Sequence, residues 1–173
     1  MEYIIKSKRF VLRPIRKSDK KSLIENINDR TIYRHTLRIP YPYTSKDADK
    51  WIRHCLYIRN KKKLTEINFV IDIDGEVAGT TGFVDIKGHS AETGYWIAKK
   101  HRNKGIGAEV LKAVTDFGFR RLRLKRIYAV VFKGNRASAR ILDKNGYRLE
   151  GTLRKYRMKD RKLIDVWMYA KVR

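Results

Sequence analysis

The chain has one cysteine, three prolines and only 18 acidic residues among 173. A single cysteine, Cys55, excludes an intrachain disulfide and fits a reducing compartment, so a cytoplasmic location is expected. No stretch approaches the roughly 18 apolar residues of a membrane span, and Met1–Lys6 has no basic segment leading into an apolar run, which argues against a secretion signal. Repeats, low-complexity tracts and linkers are also missing, and the length suits a single domain over 1–173. No G-x-x-x-x-G-K-[ST] occurs, so a P-loop is excluded. Gly105 and Gly107 are followed by Glu109 and Val110, without the third glycine of a dinucleotide fold. Histidines 35, 54, 89 and 101 are scattered and read as surface or packing residues; no Ser-His-Asp arrangement and no metal is expected.

The shortage of acids leaves 42 Lys and Arg against 18 Asp and Glu, a formal net charge of +24. Hyperthermophilic chains enrich Glu together with Lys, which is not the pattern here. Two readings stay open: a solvated lysine-rich surface, or attraction to a polyanionic partner such as ribosomal RNA, a ribosomal subunit or an acidic protein.

Apolar residues make up 42% of the chain, enough for a packed core. A strand is expected from Lys8 to Ile15, then a helix capped by Asp19 and running to about Asn28. The prolines at 40 and 42 forbid a helix over 38–43. Thr44 or Ser45 caps a second helix whose apolar face is Ala48, Trp51, Ile52 and Cys55, which places Cys55 in the core. Lys61–Lys63 reads as an exposed loop. Two β-rich runs, 67–73 and 76–84, flank Asp74-Gly75, a dipeptide that favours the type I′ hairpin turn. A strand at 91–98, a helix at 106–120, a strand at 126–132, a helix at 136–145 and two closing strands follow. The fold class is therefore α/β, a mixed sheet with helices on both faces.

The most informative run is Arg102-Asn103-Lys104-Gly105-Ile106-Gly107. It lies between the strand and the helix, where amides without internal partners and the helix dipole favour an anion. Glycines here admit a phosphate without a Cβ in the way, and Arg102 and Lys104 add positive charge.

This run resembles the pyrophosphate loop, Q/R-x-x-G-x-G/A, of the GNAT acetyltransferases. The segment Asn135-Arg136-Ala137-Ser138 through Asn145-Gly146-Tyr147 is similar to that family's N-x-A-S…G-F/Y segment. The opening Leu12-Arg13-Pro14 with Asp19, and Glu150–Arg154 with Asp165–Tyr169, resemble its RimJ/RimL-like branch, the ribosomal-protein N-terminal acetyltransferases. The resemblance is dense over 91–153 and thin over 30–65.

It implies the acyl-CoA N-acyltransferase fold, a mostly antiparallel mixed sheet in the order β-α-α-β-β-β-α-β-α-β. It also implies acetyl-CoA as co-substrate, held by Arg102, Asn103, Lys104, Gly105, Ile106, Gly107 and Ala108, with the Ile97 amide on the thioester carbonyl if the strand bulges at Trp96-Ile97. Asn135 is then the pantetheine contact, Ser138 the proton donor to the thiolate, and Glu92 the general base, directly or through a water. Gly94 and the run Ala98–His101 depart from the branch, which carries a proline between strand and loop. The activity implied is acetyl transfer to a protein N-terminal α-amine. The alternatives are a small amine (amino sugar, polyamine or antibiotic) or a non-catalytic RNA- or ribosome-binding protein on this scaffold. The expected state is monomer or homodimer.

Overall fold

A computed structural model describes residues 3–173; Met1 and Glu2, read above as part of the chain's opening, lie outside the described residues. The chain begins with two short strands, β1 (Ile5–Lys6) and β2 (Val11–Arg13). Three helices follow: α1 (Lys20–Ile27), α2 (Arg30–His35) and α3 (Ser45–Arg59). Strands β3 (Ile67–Ile73), β4 (Glu76–Lys87) and β5 (Ser90–Ile97) lead to α4 (Ile106–Arg120). Then come β6 (Arg126–Phe132), α5 (Arg136–Lys144), β7 (Arg148–Lys159) and β8 (Lys162–Val172).

All eight strands join one sheet in the order β1-β2-β3-β4-β5-β6-β8-β7. Every neighbouring pair is antiparallel except β5–β6. That parallel pair is short: it runs from Ser90↔Arg126 to Glu92↔Tyr128, and beyond it the strands have no further partners in common. β5 continues along β4 to Ile97 while β6 continues along β8, so a slot opens between them.

Side-chain alternation divides the core in two. Phe69, Ile71, Phe83, Ala91 and Ile127 meet Val110, Leu111 and Val114 of α4 and Leu142 of α5 on one face. Val70, Val77 and Trp96 meet Leu23 of α1 and Ile52 and Cys55 of α3 on the other. Gly118 brings α4 close to the sheet, because a Cβ there would lie 2.6 Å from Phe83 Cζ. The second cluster contains no residue of β6, β7 or β8. On that face Tyr128, Val130, Phe132 and Met168 stay half-buried, on a stretch of sheet outside that cluster.

Several expectations hold. Thr44 caps α3 in a capping box with Asp47, Cys55 is buried, and Asp74 and Gly75 both have positive φ (53° and 82°) in the hairpin turn. Others need correction. The first strand is only Val11–Arg13, with β1 added before it. Asp19 is the N-cap residue of α1, as expected, but its side chain makes no cap bond there; its carboxylate takes both ends of the Arg13 guanidinium at 2.8 Å and the Arg16 amide at 2.7 Å. Arg13 also reaches Asp72 at 2.6 Å, and it and Asp19 are both 5% exposed. Removing one member would strand a buried charge, at a cost of about 3–5 kcal/mol. The short α2, capped by the Asp29 side chain, was not expected at all.

Candidate active site

The turn between β5 and α4 has the form of an anion cradle. Asn103 (φ 60°) and Gly105 (φ 79°) are left-handed, which turns successive amides toward one side. Gly105 is the N-cap residue of α4 and offers no side chain as a cap. The amides of Ala108 and Glu109 return to the Gly105 carbonyl, so Ala108 contributes no free donor. Among the described residues the amides of Asn103, Lys104, Gly105, Ile106 and Gly107 have no acceptor. Five such donors at the positive end of a 15-residue helix suit a pyrophosphate.

The glycines and cations do not all act as the sequence suggested. Gly107 is buried, and a Cβ on it would lie 3.1 Å from Ile141 Cδ1 and 3.7 Å from Ile97 Cγ1, so this glycine lets α4 pack on α5 and β5. Arg102 sends Nε to the Ile97 carbonyl at 2.9 Å and pairs through Nη2 with Asp29 at 2.9 Å, tying the turn to β5 and α2. Arg9 donates to the Lys104 carbonyl at 2.8 Å and to Glu109 at 3.0 Å. It thereby neutralises the one acid in the first turn of α4. No local pattern could have flagged Arg9, which lies a hundred residues from its partner.

The β5 edge supplies further donors. The register with β4 is unbroken from Glu92 to Ile97, so the bulge expected at Trp96-Ile97 is not there. The exposed amide arises by another route. Ala98 donates to Ala78 on β4, and by alternation the amides of Tyr95 and Ile97 point away from β4 into the slot. Because β6 has diverged, no strand takes them.

Across the slot, the Asn135 side chain accepts from the Ser138 amide at 3.2 Å as the N-cap of α5. Its side-chain NH₂ remains free among the described residues. Ser138 Oγ lies 3.4 Å from the hydroxyl of Tyr95 on β5. Burial pushes the Tyr95 phenol up, which keeps it protonated, against a smaller opposing effect of Ser138. Tyr95 was missed from sequence, although its alternation with Thr93 and Ile97 places it on the helix-covered face.

Glu92 is on the opposite face, in line with the half-buried Tyr128 on β6. Its pKa is raised, chiefly by burial, with Arg157 and Arg38 working against the rise. Arg157 Nη2 is 3.5 Å from its carboxylate. Glu92 and Tyr95 are three residues apart, roughly 10 Å along a strand, so a proton leaving a group at the Tyr95 amide needs a water to reach the carboxylate. Gly94, between them, is exposed, and a Cβ there would meet nothing within 4 Å.

A family model, the acetyltransferase (GNAT) domain, matches residues 9–148. The chain belongs to this family. An uncharacterized N-acetyltransferase p20 of Bacillus licheniformis is 28% identical over 166 residues, 95% of this chain and 93% of that protein. A spermidine N(1)-acetyltransferase of Escherichia coli is 29% identical over 144 residues, 82% and 74% of the two chains. The fold is that of RimL, a ribosomal L7/L12 alpha-N-protein acetyltransferase solved with coenzyme A, at a TM-score of 0.88 over 98% of both chains and 23% identity. This GNAT acetyltransferase uses acetyl-CoA as co-substrate, and the unpartnered amides of 103–107 fit its pyrophosphate.

Proposed function

We propose that this GNAT enzyme acetylates the α-amino group of a protein N-terminus, of the ribosomal-protein type. The observation that carries this reading is Glu92, a half-buried carboxylate of raised pKa on the part of the sheet face that no helix of the second core cluster covers. An α-amine titrates near 7.7–8.0 and a lysine near 10.4, so at neutral pH roughly a tenth of α-amines are already free. A carboxylate base of modest strength suits the former.

Acetyl-CoA supplies an acetyl group activated as a thioester. Asn103–Gly107 hold the pyrophosphate by backbone amides, and Asn135 meets the pantetheine. The Tyr95 and Ile97 amides face the carbonyl oxygen as negative charge gathers there. The amine nitrogen bonds to the acetyl carbon as the carbon–sulfur bond breaks. The amine's proton passes through a water to Glu92, and Ser138, beside Tyr95, passes a proton to the sulfur and takes one back from solvent, so that its hydroxyl is restored as the thiol forms.

The spermidine enzyme raises a second reading, a polyamine acceptor. Arg157 and Arg38 beside Glu92 oppose it, since they repel a polycation where its amine must enter. The net charge of +24 supports docking to polyanionic surroundings such as ribosomal RNA, and the single buried cysteine supports a cytoplasmic site of action. Thiol release measured against peptides, ribosomal proteins and small amines tests the assignment. Turnover on peptides with free N-termini is expected; turnover confined to polyamines or amino sugars would overturn it.

A further inference from the structure

The β7–β8 hairpin places an arginine where the acceptor must arrive. Between Leu153↔Val166 and Arg157↔Ile164 the register slips, so β7 carries extra residues at 154–156. Lys155 takes a left-handed conformation (φ 51°) in this irregularity, and its amide donates to Asp165 at 2.9 Å. Asp165 is in turn paired with Lys133 at the end of β6. The hairpin tip is fastened to α2: Lys159 Nζ donates to the Thr36 carbonyl at 2.9 Å, and the Tyr33 hydroxyl donates to Asp160 at 2.6 Å. Arg157 is thus held at both ends of its segment, on the same sheet face as Glu92.

Its own bonding is incomplete. A guanidinium has five N–H donors in a planar fork. Arg157 lies 4.8 Å from the Tyr156 ring centroid and 3.5 Å from Glu92, an ion pair without a hydrogen bond among the described residues. Arg38, two residues beyond the Thr36 anchor, adds a second positive charge acting on the same carboxylate. A half-buried fork with its donors unspent, beside Glu92, is suited to a carboxylate held bidentately.

We propose that Arg157, assisted by Arg38, is an anion subsite for the acceptor, and that the acceptors carry a carboxylate close to the amine they present. This rests on the α-amine reading above. The carboxylate has two possible sources, an acidic side chain at the second position of a peptide or the carboxylate of a free amino acid. Binding there also draws Arg157 away from Glu92 and leaves that carboxylate a stronger base, so anchoring and activation are coupled.

The test compares kcat and KM for the peptide amides Ser-Asp-Ala-Ala and Ser-Asn-Ala-Ala and for free serine, in the wild type, Arg157→Gln and Arg157→Lys. The Asp peptide is expected to exceed the Asn peptide by roughly ten-fold or more in kcat/KM, the scale of a hydrogen bond to a charged group. In Arg157→Gln that ratio falls to about one, Arg157→Lys restores part of it, and the Glu92-dependent limb of the pH profile moves upward. Calorimetric binding of acetyl-CoA, unchanged in both variants, shows that they are folded. If serine exceeds both peptides and loses its advantage in Arg157→Gln, the subsite stands and the source is a free amino acid. Equal kcat/KM for the two peptides in the wild type with no Arg157-dependent advantage for serine, or a peptide ratio that survives Arg157→Gln, overturns the subsite alone. Turnover of polyamines with none on peptides or serine overturns the α-amine reading and the subsite with it.

Discussion

Ser138 and Glu92 lie on opposite sides of one sheet, and each can be disabled without touching the other. In the proposed mechanism Ser138 acts only as charge develops on sulfur, so Ser138→Ala should lower kcat by about ten-fold or more while the acetyl-CoA dissociation constant holds. An equal loss of binding would reduce the serine to a helix-start residue beside Asn135. In the proposed mechanism the Glu92 carboxyl, raised chiefly by burial, contributes a limb to kcat/KM that rises with pH above where a free glutamate would place it. Glu92→Gln should abolish that limb and leave only the one set by the amine itself, near 7.7–8.0. A pH–rate profile unchanged in the variant would remove Glu92 as base. Both residues could be nominated from sequence because each belongs to a short contiguous motif. Tyr95, Arg9 and Arg157 were not, since their roles come from partners 43, 100 and 65 residues away.

The turn at 102–107 draws its order from three elements outside it. Arg102 ties it to β5 and α2, and Arg9 ties it to the segment before β2. Arg9→Ala should uncover the Glu109 charge at the helix N-terminus and free the Lys104 carbonyl. The acetyl-CoA dissociation constant is expected to rise roughly two- to five-fold by calorimetry, with kcat nearly unchanged, as fits a charge near a helix end. A fall in kcat at constant affinity would contradict that role. The same elements show which parts of a fold a sequence discloses. The limits of α4 and β6 are those read from apolar periodicity and strand composition, because these elements bury a regular stripe. The helix α2 has six residues and buries only Ile32, so it carries no periodic signal. The slip in β7 has none either, because an inserted residue in a strand is visible only against its partner. The bulge expected in β5 is replaced by the divergence of β6, a property of sheet order that no single strand records.

At the scale of the whole molecule, the sheet separates two chemistries. The face covered by α4 and α5 carries Ser138 and the packing that positions the turn at 102–107, while the part of the other face outside the second cluster carries Glu92 and Arg157. The slot between β5 and β6 connects them. The charge excess does not belong to this chemistry: a pyrophosphate is met by backbone amides, and the nearby Arg102 and Arg9 are engaged in holding the turn. The family was legible because its motifs are local; the proposed acceptor site was not, because it combines Glu92 on β5 with Arg157 on the β7–β8 hairpin, 65 residues apart. The decisive measurement is mass-spectrometric localisation of the acetyl group on a peptide that offers both a free N-terminus and a lysine, incubated with the enzyme and acetyl-CoA. The acetyl group should be found on the α-amine, at a rate that depends on Glu92. Acetylation confined to the lysine side chain would contradict the assignment.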